Sequence, residues 1–344
     1  MKLIRTEDAA GHILCHDITQ IIPGVKKGPV FKKGHIVREE DIPVLLSCGK
    51  ENLYVWERKE GILHEDEAAE ILKNICIGSS AEFDFSPPSE GKIEIRAAVD
   101  GLLKIRRDAL LAVNSLGGMM IASVHGDFPV KKGDKTAATR IIPLVIEKEK
   151  MDKAVQTAGD IPLFGILPFR IKRAGIVTTG GEVYKGLIED KFGPVLRARL
   201  AEYGVEVTRQ IYSPDDTDTI AAGIRELIDG GAGMVLVSGG MSVDPDDRTP
   251  GAIKAVGADI VTYGAPVLPG AMFMLGYITD GKKCVPVLGL PGCVMYAKRT
   301  VFDLILPRVL AEDKLNEKDI VRYGEGGLCL GCEICTFPHC GFGK

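Results

Sequence analysis

Between Asp127 and Pro338 the chain contains no histidine. Acid–base or metal chemistry in that stretch falls to carboxylates, and a histidine-ligated zinc within it is excluded. Aromatic residues are scarce at 6%, and the single Trp, Trp56, reads as a packing anchor. There is no basic excess: 43 Lys and Arg stand against 47 Asp and Glu, for a net charge of −4. A nucleic-acid surface would usually show that excess, so nucleic acid is not an expected partner. No apolar run is long enough to span a bilayer. The N-terminal MKLIRTEDAAGH has neither an apolar signal core nor a cleavage site, so the expected location is cytoplasmic, away from membranes. A GxxxxGK[ST] loop is missing, which excludes a P-loop NTPase, and no internal repeat is present.

At 344 residues the chain exceeds one typical core, so several domains are expected. Residues 1–60 alternate short apolar runs with turn signals such as Pro23-Gly24 and read as an α+β segment. Residues 61–150 carry an amphipathic helix at 64–75 and then strand-like runs split by glycine turns, a small β-rich domain. Residues 151–169 read as a linker that begins in a connecting helix at 148–158. From 170 to 312 the pattern is regular. Strands at 171–178, 205–212 and 233–237 alternate with helices at 187–203 and 217–229, and a helix at 294–310 closes the stretch. This alternation predicts an α/β domain with a mostly parallel sheet and helices on both faces. Residues 313–344 form a Cys-rich tail.

In an open parallel sheet, ligands bind outside the carboxyl ends of the strands. The first strand delivers Thr179-Gly180-Gly181-Glu182 to that edge, and the second delivers Ser213-Pro214-Asp215-Asp216. The third delivers Ser238-Gly239-Gly240-Met241-Ser242 with the acidic Asp244, Asp246 and Asp247, and a later strand delivers Pro291-Gly292. One Gly-Gly is usually a turn, and one Asp-Asp before a helix is usually a cap. Their recurrence after successive strands points to an anion site with a divalent metal. Backbone amides of Gly180, Gly239 and Gly240 would hold phosphate. Asp215 and Asp247 would position Mg²⁺, which takes carboxylate and phosphate oxygens together.

TTGGEV (178–183), Pro-Asp-Asp before the second helix, SGGMSVDPDDRTP (238–250) and GLPG (289–292) resemble, in this order, the molybdopterin-binding domain of molybdenum-cofactor biosynthesis proteins. The resemblance implies a three-layer α/β/α sandwich over 170–312. It also implies a pterin site in the segments holding Thr179, Gly180, Gly181, Glu182, Ser238, Gly239, Gly240, Met241, Ser242, Pro291 and Gly292, with Asp215 and Asp247 as the catalytic, Mg²⁺-holding pair. The implied activity is insertion of molybdate into molybdopterin or its adenylylated form, with release of AMP. The alternatives are molybdopterin adenylylation with ATP, a non-catalytic pterin carrier or sensor, and a nicotinamide-nucleotide hydrolase of the related competence-damage type. A homo-oligomer is expected, with molybdoenzymes or other cofactor-biosynthesis proteins as partners. Three positions depart from the family pattern: Gly181 and Cys293 stand where Asp and Asn are usual, and Asp246 where a basic residue is usual in the adenylylating branch.

Cys329, Cys332, Cys335 and Cys340 make a second candidate site. Four closely spaced thiols in a cytosolic chain favour metal over disulfides. Zn²⁺ and an iron–sulfur cluster are both open, with the C-x2-C-x2-C spacing leaning toward the cluster. The other cysteines, Cys15, Cys48, Cys76, Cys284 and Cys293, read as small hydrophobes.

Overall fold

The computed structural model describes residues 2–22, 26–55, 60–242, 244–281 and 283–344. Trp56, the Pro23-Gly24 turn and Val243 of the third loop lie outside the described residues. The chain divides into two compact units. The first comprises 1–96, 106–124 and 135–165, and the second 97–105, 125–134 and 166–344. This partition differs from the sequence reading at 61–150, because the stretches 97–105 and 125–134 pack with the second unit.

In the first unit, the strand Lys2–Arg5 pairs antiparallel with Asn52–Val55. Leu14, Ile18, Val37, Leu45 and Leu53 form the core beside them. A further sheet holds Phe83–Phe85, Lys92–Ala97, Lys135–Ile141 and Met119–Ser123 in that spatial order. The helix Glu65–Ile77 starts at a capping box, in which His64 Nδ1 accepts from Asp66 N–H and Glu67 accepts from His64 N–H. The helix expected at 148–158 is present as Lys148–Ala158, and it buries Met151, Ala154 and Ala158. One element differs from the sequence reading. Arg107–Asn114 is a helix closed by Asn114, whose side chain exchanges two 2.9 Å hydrogen bonds with the backbone of Ile121.

The second unit is built on a six-stranded sheet. Its strands are β1 (Arg173–Thr179), β2 (Glu206–Ser213), β3 (Met234–Ser238), β4 (Asp259–Tyr263), β5 (Met274–Asp280) and β6 (Lys283–Leu290). The spatial order is β2-β1-β3-β6-β5-β4. The pairs β1–β2, β1–β3 and β3–β6 are parallel, while β6–β5 and β5–β4 are antiparallel. Successive residues of a strand point to opposite faces, and the two faces of this sheet are both covered. Ile176, Leu236 and Leu288 pack with helices α1 (Phe192–Ala201) and α4 (Val301–Leu310) through Leu196, Leu200, Phe302 and Ile305. Val177, Val235, Val237 and Val287 pack with α2 (Thr217–Asp229) and α3 (Thr249–Ala255) through Ile220, Ile224, Ala252 and Ile253. The result is the expected three-layer α/β/α sandwich with a mostly parallel sheet.

Helix boundaries moved where local chemistry overrode periodicity. The helix expected from Leu187 starts at Phe192, because Asp190 accepts hydrogen bonds from the N–H groups of Phe192 and Gly193 at 2.8 and 3.1 Å. Leu187 and Ile188 are exposed instead. The closing helix starts at Val301, not Val294. Thr300 caps it by accepting from Phe302 N–H at 3.2 Å, and Asp303 accepts from Thr300 N–H at 2.7 Å. Among the described residues, no helix is long and apolar enough to cross a membrane.

Candidate functional site

The order of β1, β2 and β3 creates the site's position. The chain runs from β1 to β2 on one side and then to β3 on the other, so the connections leave the sheet in opposite directions at β1–β3. At such a switch point a crevice opens outside the carboxyl ends of the strands. Register places the chemistry there: Thr178 lies beside Ser238, Thr179 beside Ser213, and Ser238 beside Leu290. Thr178, Thr179, Ser213 and Ser238 are all buried, and the side chains of Thr178, Thr179 and Ser238 tie the ends of β1 and β3 together. Thr179 Oγ1 donates to Ser238 O at 3.3 Å, Ser238 Oγ to Thr178 Oγ1 at 3.4 Å, and Gln210 Nε2 to Thr178 Oγ1 at 2.9 Å.

The loops leave this base under tight constraint. Gly239 has φ +93°, and a Cβ there would lie 2.6 Å from the Thr179 carbonyl oxygen. Glycine is what lets the third loop run this close to the first. Thr249, at the far end of that loop, ties it back: its hydroxyl donates to Gly239 O at 2.8 Å and its N–H to Gly240 O at 3.2 Å. Met241 is buried, with its carbonyl accepting from Tyr263 OH at 3.1 Å, and the exposed Ser242 lies beside it. In the first loop, Gly180 has φ +133° and leads into one helical turn, Gly181–Tyr184, on which Glu182 is exposed. In the fourth, Pro291 is buried and Gly292 exposed as β6 gives way to a short 3-10 turn.

The paired Asp215 and Asp216 have separate jobs. Asp216 caps α2, accepting from Thr219 N–H at 2.8 Å and Thr219 Oγ1 at 2.6 Å, and these bonds hold its carboxyl below the usual range. The charge of Arg248, from the third loop, adds to that effect. Asp215 is exposed and accepts from Gly181 N–H at 2.8 Å, joining the second loop to the first. Asp247 is half-buried, whereas Asp244 and Asp246 are exposed. Burial raises the Tyr263 hydroxyl, with the charge of Asp247 adding to it. Tyr263, Gln210 and Arg248 were not singled out from the sequence. Tyr263 and Gln210 sit on strands whose pattern says nothing about a loop far away in the chain.

Among the described residues, three potential ligand atoms within 4.8 Å of one another occur only at His64, Glu65 and Asp66 of the first unit. There the ring is already committed: His64 Nε2 donates to Cys15 O at 2.7 Å, and Nδ1 faces Lys33 Nζ at 2.9 Å, with Asp66 holding Lys33 at 2.7 Å. Asp215 and Asp247 belong to no such trio. A Mg²⁺ site needs no such trio, since the ion commonly takes one or two carboxylates and completes its shell with substrate phosphate and water.

The tail folds against the second unit. Leu315, Ile320 and Phe342 are buried in its core, and Phe337 stacks near Phe128 and Phe342 at centroid distances of 6.0 and 6.2 Å. Cys329 N–H donates to Leu268 O at 2.8 Å, and Gly343 N–H to Gly326 O at 2.9 Å. Cys329, Cys332, Cys335 and Cys340 are free thiols and line one cavity of 460 Å³.

Residues 175–311 match a family model described as a probable molybdopterin binding domain, and residues 3–57 match one described as a domain of unknown function. A CinA-like protein of Mycolicibacterium gilvum is 43% identical over 77 residues, which is 22% of this chain and 18% of that protein. A CinA-like protein of Mycobacterium tuberculosis is 39% identical over the same shares. The chain therefore spans less than a fifth of the length of these curated relatives. Among solved structures, the tungsten cofactor synthesizing protein MoaB from Pyrococcus furiosus is 24% identical with a TM-score of 0.36, covering 42% of this chain and 96% of that one. The protein CinA from Thermoplasma acidophilum is 21% identical with a TM-score of 0.33, covering 40% and 98%.

Proposed function

We propose, from the premise that residues 175–311 carry a molybdopterin-binding domain, that this protein binds molybdopterin by its phosphate at the β1–β3 crevice and inserts molybdate into it. The observation that carries the reading is the register that ends four strands within one residue of one another at the switch point, with Thr179 beside Ser213 and both Thr178 and Leu290 beside Ser238, each strand followed by a loop of the site. The backbone of Gly180, Gly239 and Gly240 would take the phosphate. Asp247 and Asp215 would hold Mg²⁺, which supplies charge neutralisation when a phosphoanhydride is cleaved. Met241, Ser242, Glu182 and Pro291-Gly292 would border the pterin.

The test is AMP release from adenylylated molybdopterin in the presence of molybdate and Mg²⁺, run beside pterin binding. Asp247→Asn should lower the rate by at least about a hundredfold with binding retained, a loss in keeping with removal of one charge-stabilising group. An unchanged rate would remove the role given to Asp247. The bond from Gly181 N–H to Asp215 supports a second reading, in which that carboxylate orders the loop and the domain only carries the pterin. Binding without any AMP release would select it. AMP release from ATP and molybdopterin would select adenylylation, and hydrolysis of a nicotinamide nucleotide would select the hydrolase.

A further inference from the structure

We propose that the four tail thiols hold a [4Fe–4S] cluster in the cavity they line, against the connection that runs from Gly292 to Thr300. Cys329, Cys332, Cys335 and Cys340 face this cavity together with Lys298 and Arg299. The segment is held in place at several points. Lys298 Nζ donates to Cys332 O at 3.0 Å and also to Glu333 O. The Arg299 guanidinium lies 5.1 Å above the Phe337 ring, and Leu268 and Leu328 form a parallel bridge at the cavity's edge. A loop braced in this way presents its thiols to one space, whereas a free tail would not.

Charge and spacing identify the occupant. Four thiolates around a metal centre leave a net negative charge, and Lys298 supplies a cation that forms no ion pair among the described residues. Arg299 contributes less, because it already bonds Asp303 at 2.8 Å and Glu202 at 3.0 Å. A tetrahedral zinc with Zn–S of about 2.3 Å needs its sulfurs roughly 3.8 Å apart. No three of the four tail sulfurs come within 4.8 Å of one another. A cubane places its irons and sulfides between the thiolates and so takes a wider set. Gly331, with φ +64° and open space where a Cβ would lie, lets the chain turn between the first two ligands.

The experiment is anaerobic reconstitution of the full chain with ferrous iron and sulfide, followed by iron, sulfide and zinc analysis and visible absorption before and after dithionite. About four irons and four sulfides per chain and a band that bleaches on reduction are expected. Cys332 and Cys335 are exposed, so the double variant Cys332→Ser/Cys335→Ser should melt like the parent yet lose the band. Lys298→Met should keep the iron and lower the reduction potential, as expected when a nearby cation is removed. One zinc and no iron would overturn the proposal, as would no bound iron or iron unchanged in the cysteine variant. The assay uses no pterin, so its outcome is separate from that of the function proposed above.

Discussion

At the scale of single residues, Gly239 is the most constrained position of the site. A methyl group there would meet the Thr179 carbonyl oxygen at 2.6 Å, and φ +93° is unfavourable for any L side chain. Gly239→Ala should cost about 1–3 kcal/mol of stability, read by denaturant unfolding, and weaken pterin binding at least tenfold. Glu65 gives a different kind of prediction. Burial, with the charge of Asp66 adding, pushes its carboxyl up from 4.5 to about 7. The folded state then binds the proton more tightly than the unfolded one. Its stabilising effect is complete below pH 4.5 and is lost as pH rises toward 7. His64, lowered from 6.5 by burial, works in the opposite direction as pH falls. Glu65→Gln isolates the first effect: at pH 8 it should stabilise the first unit by about 1–3 kcal/mol, since each tenfold change in proton affinity is worth ~1.4 kcal/mol. Melts at pH 5 and pH 8 check this, and an equal change at both would contradict it.

At the scale of elements, the start of α4 depends on a buried ion pair. Asp303 is 4% exposed and binds Arg199 at 3.0 Å and Arg299 at 2.8 Å while accepting from Thr300 N–H. Arg199 also donates to the carbonyls of Ala297 and Lys298, so one cluster fixes the connection that carries Lys298. Asp303→Asn leaves two guanidinium groups without their buried counter-charge and should cost about 3–5 kcal/mol, measured by chemical unfolding. Asp216→Ala should cost only about 1 kcal/mol, the usual value of a helix cap, and leave AMP release near the parent rate. The same substitution at Asp215 should spare the helix and disturb the first loop. The sequence could show that two acids precede α2. It could not show which carboxylate turns back to the helix, because that depends on the backbone angle at one residue.

At the scale of the whole molecule, legibility followed how local the signal was. The sandwich over 170–312 could be read because each strand–helix step leaves its own periodicity, and the four loops because glycine and acid recur after strand ends. The first unit was read less well. Its strand pairs join residues as far apart as Ile62 and Glu147, and the chain leaves it twice, at 97–105 and 125–134. Nothing in a local pattern marks such excursions. The second unit therefore includes residues far outside the matched domain: Phe128 is buried in its core beside Phe337. A fragment covering 166–344 alone should unfold at lower denaturant than the second unit of the full chain, since removing a core Phe side chain costs about 3–5 kcal/mol. Equal midpoints would show that Phe128 and its neighbours are dispensable.

The side chains that tie the ends of β1 and β3 together have a consequence for how ligand binding can be observed. Their strands are covered on both faces and paired on both sides, so their amides should exchange with deuterium only through the largest openings of the unit. Binding would leave those slow amides almost unchanged. The protection it brings should appear in the fast set, at 180–182, 239–242 and 292–295, against a frame that was already closed.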